Sequence, residues 1–485
     1  MDHQTRLQAR ITIKSILCLL SLLAIAPGMV WAQVNAEPQE TDAQVAADQS
    51  ESTTESASLP KETDSNPEVD ETSFDGPPAP SKSYFRGRIQ LSEGAESNPS
   101  GISAFSSQVS PFTNITGAAS LSKYQRHSET AIDYLGGGTV FTGFGRSGPY
   151  GQQLQQLIAD QRLGWNRLEL NFRDFVRYLS EGDIGGSTFG TSNLRFPAGG
   201  TGVAQNPVTS DFFGASQSGQ VGQEAYLINV TESDITEALT RRSSVRLAGA
   251  YSIIDYFGSN QDRFDSRQVT GQASYDYELT PRTSVGVAYG YRTFKFPRSN
   301  VGTVVTNSVV FVYEHHVSPR IIVRLDAGPE FTNLSGGTSK TIQEINATAG
   351  ALLRYQWKKS SMSASYNRLV TAGSGFFAGG NTNVALFSFE RTLSRLWQGV
   401  LDCGYTRVSG IGFSSAVISR SSYQYGFAGV AVQRRLKRSL IAFATYQFND
   451  QEFGSCGTSR NCSPDIRRHT FAVGLDYYIR PVRLE

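Results

Sequence analysis

Beyond residue 32 the sequence has no apolar run approaching 18 residues, which excludes a membrane-spanning helix from the rest of the chain. Cysteine is sparse, four in 485 residues, and one of them, Cys18, falls in an N-terminal apolar stretch. After that stretch the histidines are only His127, His315, His316 and His469. A hydrolase needs a nucleophile and a base oriented by a third group, and no serine or aspartate partner stands out for any of these rings. His315 and His316 are neighbours, so on a strand they point to opposite faces and do not make a metal pair. No phosphate loop, dinucleotide fingerprint or paired-cysteine metal motif occurs. Basic residues are dispersed, so nothing indicates nucleic-acid binding. The sequence therefore predicts no enzyme, no cofactor and no metal site.

What is present begins with a targeting segment. Arg6, Arg10 and Lys14 precede an apolar run, Ile16 to Ile25, broken by Pro27 and Gly28. A run of about ten residues is too short to span a bilayer. Val30 and Ala32 occupy the −3 and −1 positions of a small-residue cleavage site. These features predict a secretory signal peptide over residues 1–32, cut between Ala32 and Gln33. Leu17, not a small residue, precedes Cys18, which argues against a lipoprotein anchor.

Residues 33–81 carry 12 acidic side chains against Lys61 alone, with almost no aromatics. Such a segment buries too little apolar surface to offset its ordering entropy, so a disordered periplasmic arm is expected. It ends on the stiff stretch Gly76-Pro77-Pro78-Ala79-Pro80. The arm is read as a spacer or as a ligand for a basic periplasmic partner. With the arm and the signal removed, the remaining chain holds about ten positive charges in excess.

From Tyr84 onward one unit repeats. Tyr275-Asp276-Tyr277-Glu278-Leu279 runs into Thr280-Pro281-Arg282-Thr283, then Val285, Val287 and Tyr289. Tyr313-Glu314-His315-His316-Val317 runs into Ser318-Pro319-Arg320, then Ile321, Val323 and Leu325. Weaker copies centre on Thr240-Arg241-Arg242-Ser243, Lys358-Lys359-Ser360, Leu393-Ser394-Arg395 and Leu436-Lys437-Arg438-Ser439. Successive turns lie about 36 to 43 residues apart, the mark of one repeated supersecondary unit. Each unit holds two alternating runs of roughly 10 to 15 residues, long enough for a tilted transmembrane strand. A propeller blade would show four short runs and a recurring signature, and neither is seen.

Alternation is explicit within the runs. Val269, Gly271, Ala273, Tyr275, Tyr277 and Leu279 share one face, and Thr270, Gln272, Ser274, Asp276 and Glu278 share the other. Tyr275, Tyr277, Tyr355, Trp357, Tyr477 and Tyr478 gather beside the short turns, where an interfacial girdle belongs. The expected fold is all-β: a transmembrane antiparallel up-and-down barrel over residues 82–485, with about 18 strands (16 to 18). Hairpins are expected near 114–140 and 152–178, with six more between 222 and 450. A first strand near Tyr84–Leu91 and a last near His469–Ile479 close it, with both termini periplasmic. Glu181 to Gly222 is the longest connection, read as a constriction loop, a cover over the mouth, or a plain surface loop. Cys456 and Cys462 lie in a Gly/Ser/Asn-rich segment and are expected to close a small disulfide loop. Cys403 is left over, within a strand pattern.

The informative side chains are charges on the polar faces: Arg246, Asp276, Glu278, Glu314, Arg324, Asp326, Arg354 and Asp476. Pointing inward, they need water or partners. Two readings stand. Either they cross-brace a filled lumen, or they line a wet pore and bias ion passage, leaning toward anions.

The segment Tyr84-Phe85-Arg86-Gly87-Arg88-Ile89-Gln90-Leu91 leads into Glu96-Ser97-Asn98-Pro99, and Tyr/Pro-Arg hairpins follow. Over about residues 84–485 this pattern resembles porin-like outer-membrane barrels of Gram-negative bacteria, including barrels of Acidobacteria and others found beside exopolysaccharide systems. The resemblance implies the fold, the outer membrane, and passive transport or polysaccharide traffic. One departure is the six residues Arg480 to Glu485 after the last expected strand. Three functions are carried forward: a channel for small hydrophilic solutes, a component of exopolysaccharide export or surface assembly, and a structural or adhesive barrel acting through its loops. The partners implied are outer-membrane lipid, lipopolysaccharide, the barrel-insertion machinery, and small solutes or glycan.

Overall fold

Eighteen strands form where apolar and polar residues alternate. The computed structural model describes residues 83–97, 109–142, 150–180, 225–257, 264–298, 302–335, 342–373, 379–411, 422–453 and 466–484, all within the unit Asp70–Glu485. The signal peptide with its Ala32–Gln33 cleavage point, the acidic arm, loop 181–222 and the Cys456–Cys462 loop lie outside these residues.

In chain order the strands are β1 Tyr84–Ser97, β2 Val109–Gln125, β3 Ser128–Phe141, β4 Tyr150–Gly164, β5 Leu168–Leu179 and β6 Tyr226–Ala238. There follow β7 Ser243–Tyr256, β8 Ser266–Thr280, β9 Thr283–Lys295, β10 Thr303–Ser318, β11 Ile321–Ser335 and β12 Ile342–Gln356. The last six are β13 Ser360–Thr371, β14 Gly380–Thr392, β15 Trp397–Gly410, β16 Ser422–Lys437, β17 Leu440–Phe453 and β18 Ile466–Arg483. Each strand pairs antiparallel with its sequence neighbours, and β1 pairs with β18, so the sheet closes on itself. Closure matters in lipid, where no water is at hand to satisfy a free sheet edge.

Connections are asymmetric. At one end they are as tight as residues 126–127, 281–282 and 319–320; at the other they range from 336–341 to 180–225. Strands reach past the expected limits at both chain ends. β1 runs on through Ser97, so Glu96 and Ser97 belong to the wall and not to a turn. β18 runs on through Arg483, which pairs with Tyr84, so most of the supposed C-terminal tail is strand.

Exposure separates the two faces. Ile89, Leu91, Leu247, Val269, Phe311, Leu325, Leu401, Val430, Phe471, Val473 and Leu475 are exposed and point outward, while alternate residues such as Gln90, Thr270, Thr306 and Thr470 are buried on the inside. An apolar exterior over a polar interior is the inverse of a soluble core and suits a lipid-embedded barrel. Tyr275, Tyr277, Tyr313, Trp357, Trp397 and Tyr477 are exposed beside the short turns. Tyr478 departs from expectation. It faces inward, with Arg88 5.8 Å above its ring, because it sits one residue out of phase with Tyr477. One sector of the exterior is more polar: Asn229 and Thr231 donate to Asp174 at 2.9 and 2.7 Å, an internal pairing that blunts the cost of exposing polar groups to lipid.

The wall is irregular at Gly328-Pro329 in β11. The β10–β11 register skips from Ser308↔Glu330 to Phe311↔Ala327. A Cβ on Gly328 would lie 1.8 Å from the Val309 carbonyl oxygen, so only glycine permits this approach. Gly328→Val is expected to push β10 and β11 apart and lower the urea midpoint of the refolded barrel. An unchanged midpoint by tryptophan fluorescence would contradict the close approach.

Candidate functional site

The lumen has two zones. In the half nearer the short turns, β7 to β12 present the charges that the alternation placed inward. Arg246 donates from Nε to Thr236 Oγ1 at 3.0 Å, and Asp276 lies within electrostatic reach of Arg246, Arg324 and Glu314. Arg324 Nη1 is 3.9 Å from Glu314 Oε2, and His316 Nε2 is 3.1 Å from Glu314 Oε1. His315 points the other way, stacking on Tyr313 and meeting Thr283 Oγ1 at 2.9 Å, so the two histidines do not act together. Arg354 stands opposite Ile322 on the next strand, and Glu278 is exposed at the rim.

Two aspartates use glycine as a floor. Asp276 pairs in register with Gly286, and Asp326 with Gly350. At either glycine a Cβ would meet the carboxylate at 2.3 Å. Each carboxylate lies close over the glycine of the neighbouring strand. Asp326 also borders a small recess, together with Gln272, Arg292, Ser308, Thr348 and Asn367.

Asp476, the remaining inward charge read from the sequence, sits apart from this group, at the seam. It accepts from Arg88 Nε at 3.0 Å and Nη2 at 3.1 Å, and both side chains are buried. A second seam pair, Glu96 with Arg468 at 3.0 Å, lies nearer the long connections. Across β4, β5 and β6, Asp160, Arg173 and Glu232 stand in one register row, Arg173 bridging both carboxylates. Inward arginines therefore stand beside carboxylates on several walls, so local pairs of opposite sign, more than a single sign, set the charge pattern of the inner face.

The second zone was not foreseen. In the half nearer the long connections, inward positions turn apolar: Leu154 and Ile158 on β4, Phe175 on β5, Ile228 on β6, Ile254 on β7, Phe294 on β9, Val304 on β10 and Leu334 on β11 belong to one buried cluster. Val370 and Ala372 at the end of β13 and Ile411 beyond β15 join it. This collar gathers side chains from β4 round to β15, so it spans the bore.

Val370 carries an anomaly of phase. It shares a face with Tyr366, which is exposed on the exterior, yet Val370 itself is 0% exposed and packs in the collar. The end of β13 has left the wall and lies over the inner faces of β9 to β12. Two buried charges hold it there. Arg292 Nη1 donates to the Val370 carbonyl at 2.8 Å, and the Val370 N–H donates to Glu330 Oε2 at 3.1 Å. Arg292 and Glu330 pair with each other at 2.6 Å and are 3% and 0% exposed. On β14, Asn381 Nδ2 donates to Asn346 Oδ1 on the inner face of β12 at 3.4 Å.

No protein-family model matches this sequence, and no curated protein matches it. Solved structures with a similar arrangement include OccK2 (OpdF) of Pseudomonas aeruginosa in complex with glucuronate, at 8% identity over 83% of this chain and 98% of that one, with a TM-score of 0.40. OccAB4 of Acinetobacter baumannii gives 9% identity over 84% and 100%, with a TM-score of 0.40. A BenF-like porin from Pseudomonas fluorescens Pf-5 gives 9% over 83% and 98%, with a TM-score of 0.39.

The sequence did carry a trace of the collar. Ile253-Ile254 and Val304-Val305 break the alternation with adjacent apolar residues near strand ends. Arg292, Glu330, Arg88, Glu96 and Arg468 were missed because an inward charge gives no hint of which distant strand supplies its partner.

Proposed function

We propose that this chain is an outer-membrane channel of the porin kind, for passive diffusion of small hydrophilic solutes. The observation that carries this reading is the closed 18-stranded wall, apolar outside, whose inner face near the short turns is lined by Arg246, Asp276, Glu314, Arg324 and Asp326. A barrel of this strand number encloses an aqueous bore unless something fills it. The proposal includes export through the 1–32 signal, an acidic arm on the periplasmic side, and both termini in the periplasm. It also places loop 181–222 and a Cys456–Cys462 disulfide on the outer surface.

Single-channel conductance of the refolded protein in planar bilayers tests the reading. Discrete steps are expected; a correctly folded barrel that never conducts would overturn it. Arg246→Gln with Arg324→Gln removes two positive charges from the polar zone while leaving Asp276 and Glu314. The reversal potential under a salt gradient is expected to move toward cations, with a severalfold change in permeability ratio. No movement would show that permeating ions do not pass these side chains.

A further inference from the structure

The ladder between β12 and β13 is incomplete. It runs from Gln356↔Ser361 only as far as Ala349↔Arg368, whereas β12 continues to Ile342 and β13 to Thr371. Among the described residues, Ile342–Thr348 has a ladder partner on the β11 side alone. The first missing rung is patched by a side chain: Thr348 Oγ1 donates to the Arg368 carbonyl at 3.0 Å. β13 remains fully paired to β14 throughout, from Ser360↔Arg391 to Thr371↔Gly380. β14 is likewise paired to β15 as far as Gly380↔Gly410, so the wall opens only between β12 and β13, and the end of β13 leaves β12 with β14 still joined to β15.

The groups that hold the hairpin inside are the ones that a wall position would use. Trp357 N–H donates to the Ser360 carbonyl, so even-numbered β13 residues are the hydrogen-bonded positions toward β12. Val370 is such a position. Its N–H and C=O point where β12 would be, and Glu330 and Arg292 take them instead. Continuing the observed register would set Ala347 against Val370 and Asn346 against Thr371. Val370 would then stand outward beside Ala347, as the exterior of the barrel requires.

We propose, resting on the channel reading above, that the ends of β13 and β14 are the gate of this channel, with two alternative partners. In the closed state Arg292 and Glu330 hold the Val370 backbone, and Val370 and Ala372 complete the collar. In the open state β13 zips onto the free edge of β12, the wall becomes continuous, and these residues leave the bore. A pair of hydrogen bonds to charged side chains is exchanged for a neutral ladder pair, so the Val370 N–H and C=O are satisfied in both states. Glu330 and Arg292, buried only while the hairpin covers them, are rehydrated on opening.

Asn346→Cys with Thr371→Cys, in a Cys403→Ala background, tests the exchange. The continued register makes these two a non-hydrogen-bonded pair, about 4.5 Å between Cα atoms and suited to a disulfide. Under oxidation the bond is expected to form, read by the mass of the intact protein, and conductance is expected to rise severalfold and return on reduction. Adding Glu330→Gln, which keeps an acceptor for Val370, is expected to speed bond formation severalfold. Failure of the bond to form in a folded barrel would overturn the gate, as would a bond that leaves conductance at its reduced level. A bond that forms while current is absent in both states would retain the strand exchange and overturn the channel reading.

Discussion

Asp476→Ala is expected to prevent stable closure of the barrel. The carboxylate accepts two hydrogen bonds from Arg88 across the β1–β18 seam, and the pair is 3% and 7% exposed at its side chains. Removing one partner of a buried pair leaves an uncompensated charge, a loss of about 3–5 kcal/mol. The seam is where this matters most, because β1 and β18 come together only after the whole chain has been placed. Gln90 accepts from Arg88 at 2.9 Å and offers it a second contact, but no charge. The parent is expected to run as a folded form on unheated gels; in the variant the unfolded band should replace it, and the urea midpoint should fall. The double change Arg88→Leu with Asp476→Leu removes both charges at once. It should recover much of the lost stability, because apolar residues of similar size often replace a buried pair at little cost. A single variant as stable as the parent would show that water reaches Arg88 and that the ladder alone closes the seam.

The wall was legible in the sequence because two constraints act on every strand independently. Lipid demands apolar side chains at alternate positions, and a closed ladder demands turns at one end and longer connections at the other. Val269, Gly271, Ala273 and Tyr275 declare their face without reference to any other strand, and the eight polar-face charges were assigned by the same phase. Closure through β1 and β18 was likewise available from the need to leave no edge. The interior was less legible, since what fills the bore is decided between strands far apart in sequence. Arg292 and Val370 are 78 residues apart, and no periodicity links them. Val370 itself obeyed the pattern, as an outward apolar residue, and the structure turned the whole strand end inward. Tyr478 shows the same limit at smaller scale. Composition put it in the girdle with Tyr477, but adjacent residues on a strand cannot share a face, and the guanidinium of Arg88 claims its ring. Phase was the reliable signal, and clustering of residue type was the weaker one.

Shortening the β13–β14 hairpin is expected to turn the closed bore into a large, steady conductance. Arg368 and Asn383 stand opposite each other in the ladder, so an Asn-Gly turn can join them directly in place of residues 369–382. The deletion removes Val370, Thr371, Ala372 and Thr382, all buried inside, and leaves the paired lower parts of β12, β13 and β14 intact. Phe294, Val304 and Leu334 lose the side chains that cover them and come to face water across the bore. That exposure costs stability, on the order of 25 cal/mol for each Å² uncovered, and the deletion also removes the β14–β15 rungs from Gly380↔Gly410 to Thr382↔Val408, while those from Asn383↔Arg407 to Thr392↔Gln398 remain. The barrel should therefore still fold, with a modest fall in urea midpoint. Its conductance should exceed the parent's severalfold, approaching what a bore of about 18 strands passes. Arg292 and Glu330 remain paired to each other and become charges open to ions in the bore. Adding Glu330→Gln to the shortened chain should then bias the current toward anions, whereas in the full-length chain the same change acts mainly on how often the bore is open. A folded, shortened barrel that stays silent would mean that the rest of the collar seals the lumen without the hairpin, and the protein would then act through its surface and not through its bore.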